Sequence, residues 1–208
     1  RLPGHGDCRT DFYSTRAEDW VRHCYDCYLN LQAEYPVVHV GGHSMGGLLA
    51  SAVAAAFDAP RLVLLAPAFL LTPKISLINK LMARIRPFIE RGRLQTDFFD
   101  KYPERQILHK EYWADDHVGP TIQLVRLQHR CTLNLPRVRS DILLVAGGKD
   151  PTVPPAVVPW VEKLALNAAS ISTLIIEDGM HCFTFDSHAE TTSEIVRSWL
   201  ADKKENAI

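Results

Sequence analysis

The stretch Val37-Val38-His39-Val40-Gly41-Gly42-His43-Ser44-Met45-Gly46-Gly47 decides the fold predicted for this chain. Its first four residues are rich in valine, which is typical of a buried strand. The run that follows, Leu48 to Ala56, is small, apolar and helix-forming. Between them lies Gly42-x-Ser44-x-Gly46, and glycines on either side of the serine let a strand and a helix approach closely. The pattern predicts a tight turn that projects the Ser44 hydroxyl into a cleft.

The same turn predicts a place where negative charge is stabilised. The backbone N–H of Met45 lies at the start of the predicted helix, where the helix dipole favours an anion. This N–H would form half of an oxyanion hole beside Ser44.

A nucleophilic serine needs a base, and the base needs an acid to orient it. The run from Asp141 to Pro151 offers an apolar strand that ends in a turn containing Asp150. The run from Ile171 to His181 offers the next strand, which ends with His181. The carboxyl ends of parallel strands share one edge of a sheet, so these two side chains are predicted to meet Ser44 there. The chain order of serine, acid and histidine fits such a sheet.

Other titratable residues compete for these roles. Asp141 lies at the wrong end of its strand, and Asp178 closely precedes the candidate histidine. A role at the start of the last helix explains Asp186 as well as catalysis does. Competing bases are His43, in the turn itself, and His188, inside the last helix. Each is a weaker candidate than the triad because of its place in the predicted elements.

The chain resembles an α/β-hydrolase, and within that superfamily the monoacylglycerol lipase, carboxylesterase and lysophospholipase group. The resemblance covers nearly the whole chain except the middle third. The segments that carry it are Leu2-Pro3-Gly4-His5-Gly6, Gly42-His43-Ser44-Met45-Gly46-Gly47, Gly147-Gly148-Lys149-Asp150-Pro151-Thr152-Val153-Pro154 and Gly179-Met180-His181-Cys182-Phe183-Thr184-Phe185-Asp186. It implies an α/β-hydrolase fold, a mostly parallel sheet flanked by helices. It also implies a serine hydrolase that cleaves acylglycerol-like, lysophospholipid-like or short-to-medium acyl esters, with no cofactor or metal.

The resemblance also implies how the chain is organised. Residues 1–68 and 137–208 form the hydrolase core, and residues 69–136 form a helical cap inserted into it. Basic residues accompany an apolar helical face between Lys74 and Arg93. The ordinary interpretation is a cap helix with a solvated charged face, and the alternative is weak contact with an anionic membrane surface.

Two or three strands precede Leu2 in the family, and one of their loops donates the second N–H of the oxyanion hole. The sequence begins at Arg1 without them, so the chain is interpreted as N-terminally truncated, and the missing donor puts its activity as given in doubt. Without those strands, Val37 to Val40 is expected to present an unpaired apolar edge, which favours aggregation.

Composition narrows the remaining possibilities. The 208 residues are 47% hydrophobic with a net charge of −1, which fits one globular domain and gives no reason to expect a nucleic-acid partner. No apolar run approaches the ~20 residues of a membrane-spanning helix. The cysteines are odd in number and scattered, which favours free thiols in a reducing, cytoplasmic compartment; they are Cys8, Cys24, Cys27, Cys131 and Cys182.

Two sequence patterns predict helix starts. Thr15-x-x-Glu18 and Ser187-x-x-Glu190 both match a capping box. The first predicts a helix that runs to Leu31, and the second predicts the last helix of the chain.

Alternatives to ester hydrolysis remain open at this point. Thioesterases, peptidases and C–C hydrolases of this superfamily use the same triad. Family peptidases often carry tryptophan after the serine, so Met45 favours ester cleavage. A non-catalytic member that binds ligands is a further alternative, and the intact triad argues against it.

Overall fold

The computed structural model describes residues 1–5, 9–72, 89–90, 115–116 and 118–202. Cys8, most of the predicted basic stretch between Lys74 and Arg93, and the C-terminal residues 203–208 lie outside these ranges. The helices and strands are α1 (Arg9–Ser14), α2 (Ala17–Glu34), β1 (Val40–His43), α3 (Met45–Phe57), β2 (Arg61–Leu65), β3 (Ile89–Glu90), β4 (Asp115–Asp116), α4 (Val118–Asn134), a 3-10 turn (Leu135–Arg137), β5 (Asp141–Gly147), α5 (Val157–Leu164), β6 (Ser170–Ile176) and α6 (Ala189–Ala201).

Four parallel strands form the main sheet in the order β1-β2-β5-β6. In register, His43 pairs with Leu65, Leu65 with Val145, and Gly147 with Ile176. The carboxyl ends of the four strands therefore lie along one edge, as the sequence predicted. Strands β3 and β4 form a separate antiparallel pair.

Helices cover both faces of the sheet. Successive side chains of a strand point to opposite faces, so Leu62 and Leu64 of β2 pack into the core formed with α2, α3, α4 and α5. Val63, between them, packs instead into a smaller cluster that includes Phe183 and the apolar side of α6. Apolar residues on both faces explain why β2 and β5 are continuous hydrophobic runs.

The serine strand begins later than predicted. It runs over Val40–His43 rather than Val37–Val40, and Val37 is 60% exposed. Val40 pairs with Leu62, and β2 begins only one residue earlier, at Arg61 directly after Pro60, so Val37 and Val38 have no β2 residue opposite them. In the described part of the chain, β1 has a neighbouring strand on one side only.

Helix α2 starts one residue later than its predicted capping box requires. The N–H of Arg16 donates to the Asp19 carboxylate at 2.9 Å, which places the cap at Arg16. The Thr15 hydroxyl donates to the Asp11 carbonyl at 2.7 Å instead. The helix continues to Glu34, past its predicted end at Leu31, which is 45% exposed. No helix among the residues described here is both long and apolar enough to cross a membrane.

Candidate active site

Ser44 lies between β1 and α3 in a strained backbone conformation. Its φ of 55° and ψ of −118° fall in a region that residues with a Cβ rarely adopt. Backbone hydrogen bonds hold it there: its N–H donates to the Leu65 carbonyl at 2.9 Å, and its carbonyl accepts from Gly47 at 3.0 Å and Ala68 at 3.1 Å. The strain therefore persists because neighbouring backbone fixes the turn on both sides.

Two positions of this turn require glycine. Gly42 is one of the two predicted positions, but the second is Gly47 and not Gly46. A Cβ at Gly42 would lie 2.1 Å from the Gly46 carbonyl oxygen, so strand and helix touch there as predicted. A Cβ at Gly46 would meet nothing within 4 Å. The second close approach is at Gly47, where a Cβ would lie 2.9 Å from Pro67 Cβ. Gly46 takes part in the contact through its backbone carbonyl, and a side chain at this position would not obstruct it.

Gly42→Ala is therefore expected to destabilise the protein, while Gly46→Ala is not. The first change forces backbone apart, at a cost at or above the upper end of the ~1–3 kcal/mol typical of overpacking. The second adds a methyl group to open space within a helix, which stabilises by up to about 1 kcal/mol. Urea unfolding of the two variants checks this. Equal stability of Gly42→Ala and Gly46→Ala would contradict the contact described above.

The structure brings together the three side chains predicted to form a triad. His181 Nε2 lies 3.0 Å from Ser44 Oγ, and His181 Nδ1 lies 2.7 Å from Asp150 Oδ2. The Asp150 side chain is fully buried, and that of His181 is 19% exposed. The remaining oxygen of Asp150 accepts from the backbone N–H groups of Thr152 at 2.8 Å and Val153 at 2.9 Å.

The surroundings of Asp150 keep its carboxylate ionised. Burial alone would raise its pKa, but the hydrogen bonds from His181, Val153 and Thr152 outweigh burial and lower the pKa below the ordinary value. An ionised carboxylate only accepts hydrogen bonds, so His181 Nδ1–H donates to it. Nε2 is then free to accept the Ser44 O–H, which is the arrangement a general base requires.

Glycines also bring the acid and histidine loops together, a feature that the sequence reasoning missed. A Cβ at Gly147 would lie 2.5 Å from the Gly179 carbonyl oxygen, and one at Gly148 would lie 2.5 Å from the Glu177 carbonyl oxygen. The Lys149 N–H donates to the Gly179 carbonyl at 3.0 Å. The paired glycines directly before the Asp150 turn were the available signal.

His43, a competing base in the sequence, has another partner. Its Nε2 lies 2.7 Å from the His181 carbonyl oxygen, so it donates to the backbone of the loop that carries His181. The two imidazole centroids are 5.0 Å apart. Burial lowers the pKa of His43, despite the opposing hydrogen bond to His181. A neutral donor at this position holds the His181 loop against the serine turn.

The competing acids, Asp141, Asp178 and Asp186, form hydrogen bonds outside the triad. His188 Nδ1 lies 3.1 Å from Asp186, and its Nε2 lies 3.0 Å from Asp178. His188 precedes α6 rather than lying inside it, and its N–H donates to the Asp186 carboxylate at 2.8 Å. The predicted Ser187 capping box is therefore wrong, and Asp186 serves the helix start. Asp141, at the opposite end of β5, accepts from the Ser170 hydroxyl.

His188→Gln is expected to lower thermal stability more in mild acid than in alkali. Both ring nitrogens of His188 face carboxylates. Asp186 contributes most to raising the pKa of His188, and Asp178 adds to it, whereas burial opposes the rise. Lys149 lies near Asp178. A histidine whose pKa is raised by folding stabilises the fold at pH values below its unfolded-state pKa of about 6.5. This stabilisation is lost as the pH rises through the pKa of the histidine in the folded state. Melting temperatures of the variant and wild type at about pH 5.5 and about pH 9 test it.

His129→Gln is the matched control, because His129 is exposed on α4. The change in this control at the two pH values measures the effect of losing an exposed imidazole, against which the His188→Gln deficit is compared. A His188→Gln deficit that does not shrink in alkali would contradict the paired imidazolium.

The described residues contain no arrangement typical of a metal centre. Among them, no three His, Cys, Asp or Glu side chains are arranged to hold a metal ion. Cys24, Cys27 and Cys131 are free thiols. Burial raises the pKa of Cys24, and raises that of Cys131 to about 11, so neither is an activated thiol.

A serine on a strand–turn–helix, with an acid and a histidine from later loops at the same sheet edge, is the arrangement that defines α/β-hydrolases. The model of the alpha/beta hydrolase family matches residues 1–195, and the chain belongs to this family. No curated protein matches the sequence. The predicted fold class is thereby confirmed.

Solved structures show the same fold. One is from work on LipS and LipT, two metagenome-derived lipolytic enzymes, with a TM-score of 0.79, 19% identity, and coverage of 96% of this chain and 79% of that chain. A monoacylglycerol lipase from Paleococcus ferrophilus has a TM-score of 0.69, 21% identity and coverage of 89% and 75%. An esterase from Exiguobacterium antarcticum has a TM-score of 0.65, 18% identity and coverage of 97% and 79%.

Proposed function

We propose that the protein is a serine hydrolase that cleaves carboxylic esters through an acyl-enzyme. The observation that carries this proposal is the continuous hydrogen-bonded line from Ser44 Oγ through His181 to Asp150, with distances of 3.0 Å and 2.7 Å. Membership of the alpha/beta hydrolase family supports it.

In the first half-reaction, Ser44 Oγ attacks the ester carbonyl carbon while His181 Nε2 takes the hydroxyl proton. Asp150 holds the imidazole tautomer and stabilises the imidazolium that forms. The tetrahedral oxyanion accepts a hydrogen bond from the Met45 N–H, one of the first four N–H groups of α3, which lack intrahelical acceptors. The intermediate collapses, the C–O bond to the alcohol breaks, and His181 returns its proton to that oxygen.

In the second half-reaction, water attacks the acyl-enzyme while His181 takes a proton from it. The bond from the acyl carbon to Ser44 Oγ breaks, and His181 returns the proton to Ser44. The products are the carboxylic acid and the free enzyme. Removing one oxyanion donor in such enzymes typically costs about 100- to 1,000-fold in rate, so the Met45 N–H is expected to matter although it is only backbone.

The substrate we propose is an acylglycerol-like or lysophospholipid-like lipid, or a short-to-medium acyl ester. Two apolar side chains on the loop that carries His181 support an apolar acyl group, since Met180 is 49% and Phe185 51% exposed. The structural likeness to a protein named as a monoacylglycerol lipase points the same way. The predicted cap over residues 69–136, its weak membrane contact and a cytoplasmic location remain predictions.

The alternative is a thioesterase, peptidase or C–C hydrolase with the same triad. A comparison of kcat/KM for an ester, a thioester and an amide of one acyl group, followed by a series of p-nitrophenyl esters of increasing chain length, separates them in the full-length protein. The ester is expected to be cleaved best, with a maximum at medium chain length. Preferential cleavage of the amide or thioester would contradict the proposed ester specificity.

A further inference from the structure

The segment after β2 holds one side of the serine turn, and it is itself strained. Ala66 has a φ of 42°, which is unusual for a residue with a Cβ. The N–H of Ala66 donates to the Val145 carbonyl at 2.7 Å, and that of Ala68 donates to the Ser44 carbonyl at 3.1 Å. Ala68 therefore supplies one of the backbone hydrogen bonds that keep Ser44 in its strained conformation.

Helix α4 contributes a side-chain hydrogen-bond donor to this segment. The Gln128 amide nitrogen donates to the carbonyl oxygens of Ala68 and Phe69, each at 2.8 Å. Ala68 is 1% and Phe69 2% exposed, so water cannot readily replace these donors. A primary amide has two N–H groups, which matches the two adjacent carbonyls. Ala68 is thus held by Ser44 on one side and by Gln128 on the other.

We propose that Gln128 is a positioning residue for the Ser44 nucleophile, acting through Ala68. The inference rests on the proposed function, because it concerns how the same serine is aimed. Without the amide, two buried carbonyls lack donors, and the segment over residues 66–69 shifts toward new partners. The Ala68 N–H moves with it, so the Ser44 carbonyl loses a hydrogen bond that holds it from outside the helix. Displacing a nucleophile by even about 1 Å can cost roughly 100-fold in rate.

Gln123, on the same helix, distinguishes this role from general packing. Its side-chain oxygen accepts from the Ala17 N–H at 3.2 Å, at the start of α2. It therefore also ties α4 to another element by a backbone hydrogen bond, and this contact does not involve the serine turn. Replacing either glutamine removes comparable packing, but only one replacement touches the segment that holds Ser44.

The test compares Gln128→Met, Gln123→Met and Gln128→Lys in the full-length protein. The measurement is the second-order rate of Ser44 modification by a fluorophosphonate, with melting temperatures recorded alongside. Gln128→Met is expected to slow modification by about 10- to 100-fold. Gln123→Met should react at nearly the wild-type rate, and Gln128→Lys, whose ammonium group can donate to both carbonyls, should recover much of the loss.

Two results would overturn the positioning role: wild-type reactivity of Gln128→Met, or an equal loss in both methionine variants that follows their melting temperatures. Gln128→Asn, whose shorter side chain cannot reach both carbonyls, carries the same expectation if the methionine variant does not fold. A wild-type protein that is unreactive at Ser44 would instead overturn the proposed function, and this inference with it.

Discussion

Ser44→Ala is expected to lower kcat/KM for ester hydrolysis by about a million-fold, the scale seen when an acyl-transfer triad loses its nucleophile. The reason is geometric: Ser44 Oγ is the hydroxyl 3.0 Å from His181 Nε2, so its removal leaves that base with no oxygen to activate. The change should leave the fold intact, because the backbone hydrogen bonds that hold residue 44 do not use its side chain. Steady-state kinetics together with urea unfolding separate loss of chemistry from loss of structure.

Ser51→Ala is the matched control for this experiment. Ser51 lies in α3, the helix that follows Ser44, and its buried hydroxyl donates to the Leu48 carbonyl at 2.7 Å. The control should keep near-wild-type kcat/KM with a stability loss of about 1 kcal/mol. A Ser44→Ala variant that retains most of the activity would show that the reaction uses another residue.

Asp150→Asn should produce the second large effect, a loss of about 10,000-fold in kcat. The fixed partners of Asp150 explain why. The asparagine oxygen will face the Thr152 and Val153 N–H groups, which need an acceptor, so its NH₂ group will face His181 Nδ1. Nδ1 must then accept, and the imidazole proton moves to Nε2, where it points at Ser44. The histidine in this tautomer cannot take the serine proton.

Asp186→Asn is the control for the acid, because Asp186 also binds a histidine ring and a backbone N–H. Its partners are the ring and N–H of His188, outside the triad. Activity should change little in this variant. The role of Asp150 as the orienting acid would be rejected if Asp186→Asn lost more activity than Asp150→Asn.

Local chemistry made much of the fold predictable from sequence. The serine turn and its helix lie where the glycine and alanine pattern placed them, and α3 runs over Met45–Phe57 around the predicted helix-forming run Leu48 to Ala56. Strand β5 over Asp141–Gly147 was equally clear, because a buried parallel strand is apolar on both faces. These elements suffice to bring the acid and histidine loops to the serine edge.

Contacts that depend on tertiary packing could not be predicted. Val37 and Val38 lie outside β1 because the neighbouring strand β2 begins only at Arg61, and the sequence around Val37 carries no information about that strand. His43 meets the His181 carbonyl, and Gln128 meets two carbonyls near Ser44, across long separations in sequence. A histidine or glutamine in a helix or turn gives no sign of which backbone group it will bind. These hydrogen-bond partners are determined only when the helices pack against the sheet.

Covalent labelling of the full-length protein by a fluorophosphonate, followed by peptide mass spectrometry, tests the central claim most directly, since only an activated serine reacts. The account predicts modification of Ser44 in the wild type and a large loss of labelling in His181→Ala. An unlabelled wild type, or a label on a different serine, would contradict it.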